Sequence, residues 1–264
     1  MNHEATAPIG VYDSGIGGLS ILRALRAQMP HESFVYYADT AHNPYGDKPD
    51  AFVIERSFAI ADELLREHRI KALVVACNTA TACAIGKLRE RYPKLPLIGI
   101  EPALKPAAAL TRTRRVLVLA TRGTLQSTKF AALVHKLHAQ AEFVCVACEG
   151  LAEQIERASE QQNAINLIAL CEDFMPANCS FGLKKGQIDT LVLGCTHYPL
   201  IAPIWRNLIG SEVQIVDNAQ AVALRTQELL LSRLQEAGAG HIHWLSSADV
   251  QQLKRAAGYW LTAL

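Results

Sequence analysis

Short apolar runs of strand type alternate with longer amphipathic stretches along most of this chain: "PIGVYD" then "LSILRALRAQM", "FVYYAD" then "DAFVIERSFAIADELLREH", "ALVVAC" then "TATACAIGKLRERY". That rhythm restricts the fold more than any single motif does. Parallel strands need crossover connections, and helical crossovers cover both faces of one sheet, so a βαβα alternation predicts an α/β chain built on parallel sheets. The alternation continues with "RVLVLAT" and "TLQSTKFAALVHKLHA", then "EFVCVAC" and a helical stretch, then "DTLVLGC" and "PLIAPIWRNLI".

The ends of the expected strands repeat in order. In the first half they are Asp13-Ser14-Gly15, Asp39-Thr40 and Cys77-Asn78-Thr79; in the second half they are Thr121-Arg122-Gly123-Thr124, Cys148-Glu149-Gly150 and Cys195-Thr196-His197. This duplication predicts two similar α/β domains, each a mainly parallel sheet flanked by helices, related by pseudo-symmetry. The expected first domain comprises residues 1–100 plus 213–264 and carries Asp13 and Cys77; the second comprises 101–212 and carries Cys195 and His197. The helix "AQAVALRTQELLLSRL", with Asp217-Asn218 as candidate N-cap, and the closing "HIHWLSSADVQQLKRAAGYWL" are too small for a third domain. They are expected to return and complete one of the other two.

Half of the 264 residues are apolar, which is ample for a buried core. The formal charge is +1 with the two signs interspersed, so nothing favours a grip on nucleic acid or lipid headgroups, and the expected partners are small molecules. The opening "MNHEATAPIG" lacks a basic segment followed by an apolar one, and no run approaches the roughly 18 apolar residues that cross a bilayer. A cytoplasmic protein is expected. Seven cysteines without framework spacing suit free thiols in a reducing compartment. Cys145 and Cys148 spell CxxC, but on a strand positions i and i+3 face opposite sides, which disfavours a redox pair or zinc knuckle. These two, with Cys83, Cys171 and Cys179, are expected to be small core residues.

In open parallel sheets ligands sit beyond the carboxyl ends of the strands, where loops and helix N-termini converge. Cys77 in "VVACNTATA" and Cys195 in "LVLGCTHYPLI" both occupy such ends, each followed by hydroxyl or amide residues. A structural cysteine explains either one; two at matching places of a duplicated pattern point to paired thiol chemistry. A free thiol titrates near about 8.5, so a thiol that works as a base needs an acceptor or stabiliser nearby. His197 shares a face with Cys195 if the segment is extended.

"VYDSGIGGLSIL" is a strand, a glycine-rich turn and a helix that matches neither the Walker A pattern nor a complete GxGxxG. Gly15, Gly17 and Gly18 allow close backbone approach and free amides suited to a carboxylate. Asp13 would repel such a ligand unless it serves as proton acceptor for a neighbouring thiol; a turn-stabilising Asx is the plainer reading. "AHNPYGDK" is a turn whose tyrosine is either a lid or a surface residue. In "ATRGTLQST" hydroxyls at 121, 124, 127 and 128 surround a helix start, two suited to capping and two to a ligand carboxylate. Cys77, Cys195 and His197 lack the close ligand pair of a metal site, so no metal is expected.

Together "GVYDSGIGGLSIL", "YYADTAHNPYGDK", "VVACNTATA", "GIEPALKPA", "LATRGTLQS" and "LVLGCTHYPLI" resemble the glutamate racemases of the aspartate/glutamate racemase superfamily, from about residue 9 to the "VDNA" at 216–219. The Cys-Asn-Thr and Cys-Thr-His motifs carry the superfamily likeness, and the Asp-Ser-Gly and Pro-Tyr-Gly segments favour the glutamate branch. The resemblance implies cofactor-independent interconversion of L- and D-glutamate, supplying D-glutamate for peptidoglycan, with the active site in the cleft between the two domains. By the same resemblance Cys77 removes the α-proton of D-glutamate and Cys195 that of L-glutamate, with Asp13 assisting the first and His197 the second. Ser14, Pro44, Tyr45, Gly46, Asn78, Thr79, Thr121, Thr124 and Thr196 match positions that hold the substrate's carboxylates and ammonium. A further assisting glutamate falls by spacing on Glu156 in "CEGLAEQIE", with Glu149 and Glu153 beside it as alternatives.

The implied chemistry suits a duplicated fold. One base cannot easily serve both faces of a carbon held in place, whereas two opposed thiols can, and no pyridoxal phosphate is then required. The rival readings are an aspartate racemase or another cofactor-independent relative, a solute-binding module without chemistry, and a metal or redox protein. A homodimer and regulation by a cell-wall nucleotide precursor stay open.

Overall fold

The computed structural model describes residues 6–161 and 165–262. The chain divides into two compact units, Met1–Ile100 with Ala219–Leu264, and Glu101–Asn218. The first runs β1 (Ile9–Asp13), α1 (Leu19–Gln28), β2 (Phe34–Ala38), α2 (Asp50–His68), β3 (Ala72–Val75), α3 (Asn78–Arg91) and β4 (Leu97–Gly99). The second runs α4 (Leu104–Leu110), β5 (Arg115–Ala120), α5 (Arg122–Gln126), α6 (Thr128–Leu137), β6 (Glu142–Ala147), α7 (Leu151–Gln161), α8 (Ile165–Asp173), β7 (Thr190–Leu193), α9 (Ala202–Ile209) and β8 (Gln214–Val216). The chain then returns to the first unit through α10 (Ala219–Leu229), β9 (Ile242–Ser246) and α11 (Val250–Thr262).

Both sheets are parallel throughout, with order β4-β3-β1-β2-β9 in the first unit and β6-β5-β7-β8 in the second. Numbered within each unit, both contain the order 2-1-3-4, and β9 is an addition beside β2. The duplication read from the strand ends is therefore a duplication of topology. In each sheet the chain winds one way from the first strand and the other way to the third, which makes the tips of those two strands a topological switch point. Those tips carry Asp13 and Cys77 in one unit, and Thr121 and Cys195 in the other.

Burial explains the strands' composition. β1, β2, β3 and β7 are buried along their whole length, as strands covered on both faces must be, and they read as continuous apolar runs. The edge strands β6 and β9 are only partly covered and carry mixed sequence. The helices bury one stripe each: Val53, Ser57, Ile60, Ala61 and Leu64 on α2 recur at helical spacing. No helix among the described residues is long and apolar enough to cross a membrane.

Two expectations need correction. The return to the first unit falls after Asn218, not at 213, because Gln214–Val216 pair with Thr190–Val192 as β8 and belong to the second sheet. The spare cysteines are not uniformly core residues either: Cys148 and Cys171 are buried, Cys83 and Cys179 are half-buried, and Cys145 is exposed because it lies on the edge strand β6.

The returning segment is tied down by a buried ion pair. Lys71 and Glu32 meet at 2.6 Å with both side chains almost fully enclosed. Lys71 Nζ also donates to the Arg233 carbonyl at 2.8 Å, and the Gln235 amide donates to Glu32 Oε1 at 2.8 Å. Burial favours the neutral form of Lys71 and pulls its pKa below the usual lysine range, although Glu32 opposes that shift. Such a pair stabilises only while every partner is present.

Candidate active site

In the first unit the last residue of β1 is Asp13, wholly buried. Its Oδ2 accepts the amides of Gly15 and Gly18, each at 3.1 Å. Two of the three glycine amides that the sequence offers to a ligand carboxylate are thus engaged by the chain's own carboxylate, which fixes the orientation of Asp13. Gly18 has to be glycine: a Cβ there would lie 2.7 Å from the Asp13 Cβ and 2.8 Å from the Tyr36 hydroxyl. Tyr36 in turn donates to the Gly15 carbonyl at 2.8 Å and pins the other side of the turn.

One strand over, Cys77 follows β3 and caps α3. Its backbone is extended, and its sulfur accepts the Ala80 amide at 3.5 Å. The thiol also reaches the Ser14 hydroxyl at 3.9 Å. A helix start of this kind favours negative charge on the sulfur. Asn78 and Thr79 open the same helix and are buried.

The loop after β2 closes the group. Tyr45 is buried, not a surface turn residue, and its hydroxyl donates to Asp39 Oδ2 at 2.6 Å. Asp39 is also gripped by Arg56, Nε to Oδ2 at 3.0 Å and Nη2 to Oδ1 at 2.8 Å, and by His42 Nδ1 at 2.9 Å. Burial alone would raise the Asp39 pKa, but the hydrogen bonds from Arg56, Tyr45 and His42 outweigh it and hold the carboxyl below the usual range. Pro44 and Gly46 flank Tyr45 and are half-buried. Asp39 and Arg56 carry no motif; the signals for them are a carboxylate at a strand tip matching that of Asp13, and an arginine beside the buried stripe of α2.

In the second unit Gly194 separates β7 from Cys195. A Cβ there would lie 2.9 Å from the Leu119 carbonyl, so only glycine lets the chain pass. Cys195, Thr196 and His197 follow, all buried. Cys195 Sγ and His197 Nδ1 are 3.7 Å apart, and His197 Nε2 lies 2.7 Å from Glu156 Oε1 on α7. The ring is thus held between a thiol at Nδ1 and a carboxylate at Nε2, and either nitrogen that carries a proton has an acceptor in reach. Burial opposes a charge on His197, yet the contacts with Cys195 and Glu156 raise its pKa well above the usual histidine value.

The three glutamates of this stretch separate by environment. Glu149 pairs with Arg122 and Glu153 with Arg157 at 2.6 Å, all on exposed surface, whereas Glu156 is buried against His197. Thr121 caps α5 by accepting the Thr124 amide at 3.3 Å and donates to the Thr124 hydroxyl at 2.9 Å, while Ser127 caps α6 by accepting the Phe130 amide at 3.2 Å. The structure thus gathers Asp13, Ser14, Tyr45, Cys77, Asn78 and Thr79 within the first unit, and Glu156, Cys195, Thr196 and His197 within the second. Thr121 and Thr124 stand at the neighbouring tip of β5. Among the described residues no group of three or more His, Cys, Asp or Glu side chains is placed to hold a metal ion.

A model of the family described as Asp/Glu/hydantoin racemase matches residues 19–226. The glutamate racemase of Ectopseudomonas mendocina (strain ymp) is 45% identical over 258 residues, covering 96% of this chain and 94% of the relative. Among solved structures, Escherichia coli glutamate racemase in complex with L-glutamate and the activator UDP-MurNAc-Ala is similar with a TM-score of 0.83 at 29% identity, over 96% of this chain and 95% of that one. The glutamate racemase of Francisella tularensis in complex with D-glutamate has a TM-score of 0.80 at 25% identity, over 98% and 94% of the two chains.

Proposed function

The chain belongs to the Asp/Glu/hydantoin racemase family, and we propose that it interconverts L- and D-glutamate with Cys77 and Cys195 as bases on opposite sides of the α-carbon. The observation that carries this reading is the pair of buried thiols at equivalent third-strand tips of two sheets that share the order 2-1-3-4. One thiolate removes the α-proton while the opposing thiol delivers its own, and the roles exchange in the reverse direction. Cys195 takes the proton of L-glutamate and Cys77 that of D-glutamate. Asp13 assists Cys77; His197, oriented by Glu156, assists Cys195.

The growing carbanionic charge spreads into the substrate carboxylate, where oriented amides and hydroxyls stabilise it. Ser14, the Pro44-Tyr45-Gly46 turn, Asn78, Thr79, Thr121, Thr124 and Thr196 hold the two carboxylates and the ammonium. The thiols supply both proton transfers, so the reaction needs no pyridoxal phosphate. Its role is supply of D-glutamate for peptidoglycan in the cytoplasm, on a small-molecule substrate and without nucleic acid or membrane, in a chain that can work as a monomer or a homodimer.

The test is incubation with each enantiomer of glutamate in deuterium oxide. Optical rotation should decay to zero from either side while the α-proton signal disappears as solvent deuterium enters. Aspartate run in parallel should stay optically active. Binding of glutamate without exchange at the α-carbon would make the protein a binding module and end this reading.

A further inference from the structure

Asp39 poses a physical problem. It is a wholly buried carboxylate at the tip of β2, and its amide donates to the Asp13 carbonyl at 2.9 Å, so it stands next to a second buried carboxylate. A buried charge is costly unless it is paired and hydrogen-bonded. A site for an acidic amino acid makes the cost greater, because two unneutralised carboxylates would repel the ligand.

The solution is Arg56, which reaches from α2 and meets both oxygens of Asp39 in a two-pronged contact, at 3.0 and 2.8 Å. This planar, paired geometry fixes direction as well as charge, which a lysine ammonium cannot reproduce. Its second consequence lies on the far side of the carboxylate. Asp39 Oδ2, held by Arg56 Nε, also accepts the buried Tyr45 hydroxyl at 2.6 Å, so the guanidinium, the carboxylate and the phenol form one chain from a helix to the 44–46 turn. The other oxygen is closed by Arg56 Nη2 and His42 Nδ1.

We propose that Arg56 is a positioning residue for substrate: through Asp39 it fixes Tyr45, and with it the Pro44-Tyr45-Gly46 backbone that receives a carboxylate of glutamate, and it cancels the charge of Asp39 beside that carboxylate. The proposal rests on the glutamate racemase reading given above. Arg56 touches neither the substrate nor a thiol; its effect is on binding. Loss of a contact that serves ground state and transition state alike raises KM and spares kcat.

The experiment uses the full chain with Arg56→Met, Arg56→Lys and Tyr45→Phe, plus the Arg56→Met/Tyr45→Phe double variant. It measures kcat and KM for both enantiomers, together with thermal melting. Arg56→Met should raise KM for both enantiomers by roughly ten-fold or more, as loss of a charge-assisted contact would, with a much smaller fall in kcat. Arg56→Lys, which restores the charge without the fork, should recover melting and only part of KM. Tyr45→Phe should raise KM alone but add little to Arg56→Met, because the two act in series.

An Arg56→Lys enzyme with wild-type KM would show that charge alone matters and would overturn the positioning role. So would fully independent, multiplying effects of Arg56→Met and Tyr45→Phe. If Arg56→Met does not fold, the Lys and Phe variants still decide. A wild-type protein that exchanges no α-proton would fail the functional reading and this proposal with it, whereas an active wild type with indifferent variants would fail this proposal alone.

Discussion

The two thiols sit at equivalent tips of equivalent sheets, yet their surroundings differ in kind. Cys77 caps a helix of 14 residues and is met by a backbone amide and the Ser14 hydroxyl. Cys195 is followed by a tight turn at Tyr198–Ile201 and is met by an imidazole with a carboxylate behind it. The first sulfur sits at a helix start, with the buried carboxylate of Asp13 at the neighbouring strand tip. The second sits beside an imidazole that is itself backed by a carboxylate. Duplication copied the scaffold that places a thiol at a switch point, and under the proposed mechanism each thiol acquired its own kind of assisting group, a carboxylate for Cys77 and an imidazole for Cys195. A racemisation carried by these two thiols would then depend on two different solutions to one problem.

The comparison can be broken most directly at the sulfurs. Cys77→Ala and Cys195→Ala should each abolish racemisation, since a face without a base cannot exchange its proton; retention of more than about one per cent of wild-type turnover in either would refute two equivalent thiols.

Next in size are the assisting groups. Asp13→Asn and His197→Asn should each cost roughly two to four powers of ten in kcat, the range for a proton-transfer partner. Neither can make the enzyme run one way, because the enantiomers have equal free energy in water and the ratio of the two kcat/KM values stays at one. What changes is the step carrying the highest barrier. The primary isotope effect on kcat/KM with α-deuterated D-glutamate should rise relative to the L-enantiomer in Asp13→Asn, and fall relative to it in His197→Asn. Equal isotope effects in both variants would reduce these residues to structural supports.

A smaller effect sharpens the difference between the half-sites through pH. The folded-state pKa of His197 is raised, so its contribution to stability is fully present below the ordinary histidine value and is lost as pH rises through the raised one. Glu156→Gln removes one cause of that shift, so the alkaline loss of stability should be smaller and complete at a lower pH. Asp39 has the opposite sign: its depressed pKa gives stability present above the ordinary carboxylate value and lost as pH falls through the lowered one. Asp39→Asn should flatten the acid side and leave the alkaline side alone. Melting temperature measured across pH for the two variants checks both signs. The smallest changes belong to the spare thiols: Ser at 83, 145, 148, 171 or 179 should alter stability with little change in turnover. An inactive, folded Cys148→Ser would place a third thiol in the chemistry.

Much of this arrangement was legible in the chain because buried parallel strands must be apolar throughout and must stop where the polar site begins. Leu73-Val74-Val75-Ala76 before Cys77, and Leu191-Val192-Leu193 before Gly194-Cys195, declare both the strand and its functional end. The edges were harder to read. β8 is three residues of mixed exposure and β9 is nowhere fully buried, so neither shows an apolar run, and the sequence alone puts the domain boundary six residues too early. Contacts between distant elements left no trace either. Nothing local says that Arg56 reaches Asp39, that Gly15 and Gly18 give their amides to Asp13, or which of three neighbouring glutamates meets His197.

The order in which the two units can be completed follows from the split first unit. Residues 101–218 form an uninterrupted unit that can fold as soon as they leave the ribosome, whereas the unit begun by residue 9 cannot be finished until β9 has arrived to flank β2 and the segment at 233–235 has closed around Lys71 and Glu32. The first strands made are among the last to be secured. During translation the incomplete first unit has an unpaired β2 edge, open to pairing with another strand, and an ion pair lacking two of its partners.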